Sequence, residues 1–176
     1  MSPPQEKFLE LVDHHKHILY KVANSYCREP DDRPDLIQEI LIQLYLSYEK
    51  FDGRVKFSTW MYRIALNVAI SFYRSDRQYL KNTTHIDDFV TGLGFVDKSL
   101  SETGDELRLL YQAINNLDEM NRALILLYMD GYKYAEIADL TGVSETNVST
   151  RISRIKSKFQ KDLEIIHPTQ IKGSRQ

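Results

Sequence analysis

Near the end of the chain, Val148, Ile152, Ile155 and Phe159 recur at i, i+4, i+7 and i+11. That spacing puts four apolar side chains on one stripe of an α-helix, and such a stripe must be buried against another element. The residues before it narrow the choice further. A short periodic segment, 134–140, ends in Thr141-Gly142-Val143, and Ser144 stands where the next helix would take its N-cap. Short helix, glycine turn and long helix read together as a helix-turn-helix. Ala138 is small enough for a close crossing, Gly142 suits the tight turn, and Val143 and Val148 fit between the two helices.

The rest of the chain has the same character. Only 7 Gly and 5 Pro punctuate 176 residues, and Leu-, Ile-, Glu- and Lys-rich periodic segments dominate. With 42% hydrophobic residues the chain can bury a core. The expectation is an all-α protein of two small helical domains joined by a flexible linker, the C-terminal one a helix-turn-helix. In the first domain, residues 5–78, helices are expected over 5–26, 34–49 and 58–74. Pro30-Asp31-Asp32-Arg33-Pro34 should break the chain after the first, and Gly53 should turn the loop 51–56. Residues 79–105 lose the periodicity, carry Gly92, Gly94 and Gly104, and lean acidic, as a linker would. The second domain, 106–165, should hold helices near 105–115, 118–129, 134–140 and 144–165. The polar tail, 166–176, is expected to be disordered.

Charge is segregated. The formal net charge is −2, which argues against a nonspecific nucleic-acid binder. Yet residues 54–77 carry Arg54, Lys56, Arg63, Arg74 and Arg77 against Asp76 alone. Residues 144–161 carry Arg151, Arg154, Lys156, Lys158 and Lys161 against Glu145 alone. Either cluster could be a solvated helix face. In the last helix, however, Asn147, Arg151, Arg154 and Lys158 repeat the apolar spacing one position earlier, so they form a stripe beside it. Such a stripe can enter a major groove, where Arg reads guanine and Asn reads adenine, each pair worth about 1–3 kcal/mol. Lys156, Lys158 and Lys161 suit phosphates. In the other cluster, Phe57, Trp60, Tyr62, Phe72 and Tyr73 interleave with Lys56, Arg63, Arg74 and Arg77. Rings beside cations fit single-stranded nucleic acid, although Phe57 and Trp60 also fit a core; Tyr73 and the cations are the better contact candidates.

These residues carry a resemblance. Asp35-Leu36-Ile37-Gln38-Glu39 and the run from Phe57-Ser58-Thr59-Trp60 to Asn67 resemble the DLxQE and FxTWLYRIAxN signatures of extracytoplasmic-function sigma factors. The run from Asp130-Gly131-Tyr132 to Ala138 resembles the family's DGxSYxEIA segment, in the right order. The resemblance implies a bacterial alternative sigma factor that binds core RNA polymerase and promoter DNA, with an anti-sigma factor as a further partner. It implies core polymerase contact through Asp35, Gln38 and Glu39. It implies binding and melting of the −10 element by Phe51, Arg54, Lys56, Arg63, Asn67, Tyr73, Arg74 and Arg77, with Phe51, Lys56 and Asn67 at a pocket for an extruded base. It implies −35 recognition by Ser144, Thr146, Asn147, Thr150, Arg151, Arg154 and Lys158. The chain departs from the pattern at Lys133, where the family has Ser, and at Asn147-Val148-Ser149, where the family has Thr-Val and a basic residue.

Other chemistries find no support. No catalytic residue, metal or cofactor is expected: Asp35 and Glu39 lack a nucleophile or phosphate loop nearby, and His14, His15 and His17 lack convergent partners. Cys27 is single, so no internal disulfide can form. The start of the chain does not read as a signal peptide, and the longest apolar run, 123–129, is too short to span a membrane. A cytoplasmic protein without membrane insertion is therefore expected. The alternative on residues alone is a stand-alone helix-turn-helix regulator.

Overall fold

In the computed structural model, residues 3–27, 29–83 and 105–166 are described, with side chains for 6–27, 29–74 and 109–162. Every regular element among them is helical: α1 (Pro3–His14), α2 (Lys16–Tyr26), a 3-10 turn (Pro30–Asp32), α3 (Arg33–Tyr48), α4 (Phe57–Thr83), α5 (Asp105–Asn115), α6 (Glu119–Met129), α7 (Tyr134–Thr141) and α8 (Glu145–Ile166). The chain forms two compact units, Met1–Glu119 and Met120–Gln176.

In the first unit α4 is the central element, packed against both α2 and α3. It buries Phe57, Met61, Tyr62, Ala65, Leu66, Ala69 and Tyr73. Opposite them stand Ile18, Leu19, Val22, Ala23 and Tyr26 of α2, and Leu36, Ile40 and Leu44 of α3. α4 continues to Thr83, beyond the end expected at Arg74. No Gly or Pro lies between Gly53 and Gly92 to stop it. α5 also belongs to this unit by contact, against α2.

The single helix expected over 5–26 is two. His15 adopts φ −111°, ψ 13° between them. Its ring Nδ1–H donates to the carbonyl of Leu11 at 2.9 Å, an acceptor that an unbroken helix would offer to a backbone amide. Across the break the Lys16 ammonium donates to Asp13 at 2.9 Å. That hydrogen bond, and then the Asp13 charge, push the Lys16 pKa up from its ordinary value. The proline-rich break also has structure: Pro30–Asp32 make a 3-10 turn that leads directly into α3, with Pro34 in its first turn.

In the second unit the helix-turn-helix forms as expected. Val148, Ile152 and Ile155 are buried, Phe159 at the end of the expected stripe is half-buried, and α8 packs on α7. Gly142 takes φ +72° and its N–H donates to Ala138 at 2.9 Å, closing α7. At the start of α7 the Glu136 carboxylate accepts the Lys133 N–H at 2.7 Å. This is one half of a capping box. The other half needs a side-chain oxygen at position 133, and an ammonium has no lone pair to offer.

Two substitutions test these ends. A Cβ at residue 142 would meet no atom within 4 Å, so Gly142→Ala is charged only for its left-handed backbone. We expect about 1–2 kcal/mol of destabilisation, read from urea unfolding. Lys133→Ser supplies the missing acceptor and should stabilise by about 0.5–1 kcal/mol in the same measurement.

Candidate polymerase and nucleic-acid interfaces

Asp35, Gln38 and Glu39 all lie on the exposed face of α3, because Leu36, Ile40 and Leu44 turn the opposite face inward. Glu39 accepts a hydrogen bond from the Gln43 amide at 3.1 Å. The exposed face then continues over Ile42, Tyr45 and Leu46, the last 65% exposed. Contiguous apolar side chains in water mark a contact surface. The sequence reading does not single out these three, although α3 is apolar on more than the one face it needs for folding.

The loop between α3 and α4 is closed by aromatic rings. Phe51 at its start and Phe57 at its end meet edge-to-face at 5.6 Å between centroids. Trp60 lies 5.1 Å from Phe51 and 5.3 Å from Phe57, and Tyr48 stacks on Phe51 at 6.4 Å. His15 adds a fifth ring, 5.5 Å from Phe57. Phe51 is half-buried within this cluster. Beyond the rings, Gly53 turns at φ +73°, and Asp52 accepts the Arg54 N–H at 3.0 Å and pairs with the Arg54 guanidinium at 3.1 Å. Arg54 and Lys56 are exposed at the loop's tip and end.

Along α4, Arg63, Asn67 and Arg74 form one exposed stripe at i, i+4 and i+11. Arg74 pairs with Glu119 at 3.1 Å. Tyr73, expected at the contact surface, is buried instead and packs edge-on against Tyr26 at 6.4 Å. The residue falls on the inward face of α4, seven and eleven positions after Leu66 and Tyr62, so its ring cannot also stack a base. The side chain of Arg77 lies outside the described residues, as do residues 84–104 of the expected linker and the tail after 166.

Ser144, just before α8, and Thr146, Asn147, Thr150, Arg154 and Lys158 on it are exposed, and Arg151 is half-buried. The Ser144 hydroxyl accepts the Asn147 N–H at 3.4 Å, a long N-cap. Thr150 donates back to the Thr146 carbonyl at 2.9 Å. Arg151 is held on both sides: its Nε donates to Asn147 Oδ1 at 3.0 Å, and Nη1 donates to Asn121 Oδ1 on α6 at 3.2 Å. Lys156, expected at phosphates, lies over the Tyr128 ring, 5.3 Å from its centre, and donates to its hydroxyl at 3.3 Å. Ser153, Arg154, Ser157, Lys158 and Lys161 line a shallow open depression with Asp162.

The histidines show no metal geometry. His14, His15 and His17 approach one another as rings, and no group of three metal-binding side chains occurs among the described residues. Cys27 is buried. No helix among the described residues is long and apolar enough to cross a membrane.

Comparison with known proteins gives the family. Residues 11–89 match sigma-70 region 2, and residues 107–159 match sigma-70 region 4. An ECF RNA polymerase sigma-E factor of Haemophilus influenzae is 31% identical over 155 residues, 82% of this chain and 82% of that protein. The chain belongs to the ECF sigma factor family. The ECF sigma factor SigX of Bacillus subtilis is 29% identical over 167 residues, covering 92% of this chain and 86% of that protein. The fold agrees with two solved structures. One is the sigma factor RpoE in complex with the anti-sigma factor NepR from Bartonella quintana, with a TM-score of 0.72 at 20% identity over 92% of this chain and 96% of that one. The other is CnrH in complex with the cytosolic domain of CnrY, with a TM-score of 0.63 at 24% identity over 92% and 90%. As an ECF sigma factor the chain directs promoter recognition by RNA polymerase and is not an enzyme. The stand-alone regulator is thereby set aside.

The ring cluster yields a prediction for this sigma factor. Phe51→Ala removes the ring that ties the loop's first residue to its last. We expect faster amide exchange over residues 52–56 and a stability loss of about 1–3 kcal/mol, while amides in the middle of α4 keep their protection.

Proposed function

We propose a division of labour between the surfaces of α3, α4 and α8 in promoter opening. Residues 5–78 form the core-binding and −10-binding domain, 79–105 the acidic connecting segment, 106–165 the −35-binding domain and 166–176 a tail. The two family segments, 11–89 and 107–159, support that division. Core polymerase is contacted by Asp35, Gln38 and Glu39, and the same face extends over Ile42, Tyr45 and Leu46. The charged end gives orientation and the apolar end gives area to bury.

The −10 element is bound by Arg54, Lys56, Arg63, Asn67, Arg74 and Arg77, with Phe51 at the base of the loop. Support comes from the exposed α4 stripe, which presents a carboxamide between two guanidinium groups above a wholly buried face. Phosphates meet the cations, and the amide can donate to and accept from the edge of an extruded base. Tyr73 has no part in this surface, being buried. The −35 element is read by Ser144, Thr146, Asn147, Thr150, Arg151, Arg154 and Lys158. The buried Val148, Ile152 and Ile155 turn that stripe outward.

An anti-sigma factor completes the reading. Two structures of similar fold are described as sigma factor with anti-sigma factor and as CnrH with the cytosolic domain of CnrY. A partner covering the cationic stripes of α4 and α8 would silence both DNA surfaces. Because the chain works on the polymerase, the site of action is the cytoplasm.

Transcription from the DNA upstream of the protein's own gene, with purified bacterial core polymerase, tests the assignment. Asn67→Ala should bind core and the −35 segment normally and lose permanganate reactivity of the −10 thymines. Arg154→Ala should weaken promoter binding about tenfold, as loss of one base or phosphate contact does, and leave opening of the bound fraction intact. Equal impairment of both steps by each variant would refute the division.

A further inference from the structure

We propose that Asn121, on α6 and outside the recognition helix, is a positioning residue that sets which base the start of α8 reads, and that this base is guanine. The inference rests on the −35 reading above. Three side chains form a chain of hydrogen bonds: Asn121 Oδ1 accepts from Arg151 Nη1 at 3.2 Å, and Asn147 Oδ1 accepts from Arg151 Nε at 3.0 Å. Asn147 and Arg151 stand one turn apart on α8, while Asn121 reaches them from α6.

A guanidinium only donates. The atom that each carboxamide turns toward it must therefore be oxygen. For Asn147, which is exposed, this leaves the NH2 group to face solvent. Asn recognises adenine by laying oxygen and nitrogen side by side on N6 and N7. With its oxygen directed at Arg151, Asn147 has one of its two oxygen lone pairs already engaged and its orientation fixed by the Nε bond, so the NH2 donors are its freer group.

Arg151 offers donors too. Of its five N–H groups two are engaged, and the remaining Nη1 hydrogen and both Nη2 hydrogens are left. The surface made by residues 147 and 151 is thus dominated by donors, and the guanidinium is wholly donating. In the major groove, guanine presents two adjacent acceptors, N7 and O6. Adenine presents one acceptor beside a donor, and cytosine presents a donor. The remaining N–H groups of Arg151 select guanine and oppose cytosine. Asn121 contributes by fixing the guanidinium before DNA arrives. An arginine held at two points loses less freedom on binding than one projecting into water. The motif that resembles the family's recognition helix could not show this, because Asn121 lies 26 residues before Asn147 and its partner is visible only when α6 and α8 are packed.

The test uses holoenzyme, the protein with bacterial core polymerase, to select from duplex DNA randomised across the −35 segment. Wild type should show one position where guanine is preferred over adenine about tenfold. Asn121→Ala should reduce that preference at least threefold at that position alone, with core affinity unchanged. Asn121→Asp keeps an acceptor for Arg151 and should restore it. Asn147→Ala, an exposed substitution that leaves the packing of α6 untouched, should leave guanine favoured through Arg151 and relax discrimination against cytosine. Three results overturn the inference while sparing the −35 reading: adenine selected in place of guanine, preference unchanged in Asn121→Ala, or preference lost evenly at every position. If selection yields no sequence at all and Arg154→Ala binds as wild type does, the −35 reading itself fails, and the inference with it.

Discussion

Burial of one face of α4 and one face of α8 decides what every other residue on those helices can do. A helix has a fixed period, so once Met61, Ala65 and Ala69 point inward, Arg63, Asn67 and Arg74 must point out. The same holds for Val148, Ile152 and Ile155 against Asn147, Arg154 and Lys158. The burial energy per side chain, about 1.5–3 kcal/mol, exceeds anything an exposed charge contributes to folding. Function is therefore placed by the core, and the polar stripes are free to be chosen for the ligand.

That dependence explains what could be read from the sequence. The α8 stripe and the glycine turn were legible because their period and residue types are set by local rules. The all-helical class was legible for the same reason, and the family signatures matched on both modules. Three features were not. The break at His15 depends on a ring nitrogen finding the Leu11 carbonyl, which no periodicity reports. The burial of Tyr73 depends on where α2 supplies Tyr26, so an aromatic residue among cations was read as a contact. The engagement of Arg151 and Lys156 depends on α6, whose Asn121 and Tyr128 are far away in sequence. Each failure is a tertiary partner that overrides a local pattern. Arginine and lysine are especially prone to it, since long side chains reach neighbours that their own helix does not foretell.

The electrostatics follow the same separation of roles. With a net charge of −2, the chain as a whole gains little from approaching a polyanion. Its cations act only within about a Debye length, roughly 8 Å at physiological salt. Among the described cations at the proposed −10 surface, Arg54 is paired with Asp52 and Arg74 with Glu119. Both arginines are more than half exposed, and such pairs are worth about 0–1 kcal/mol. Exchanging a carboxylate for a phosphate is then nearly neutral in the free protein, and becomes favourable when the DNA sheds counterions. On the proposed reading, a chain built this way binds DNA weakly until another body, the core polymerase, holds both in register.

The aromatic loop makes the same point from the other side. Ordering the backbone of one residue costs about 1–2 kcal/mol, so a six-residue loop fixed only on binding would consume most of what a captured base returns. Here the rings of Phe51, Phe57 and Trp60 join the two ends of the loop in the folded protein. Folding bears part of that ordering, and less is left for the encounter with DNA. Stacking one base returns about 1–3 kcal/mol, which is comparable to the cost of taking that base out of the duplex. A surface of this kind can hold one extruded base against its return to the helix, but it has nothing left over to separate the next pairs. On the proposed reading it traps the first opening, and the advance of the bubble must draw on contacts that the polymerase supplies.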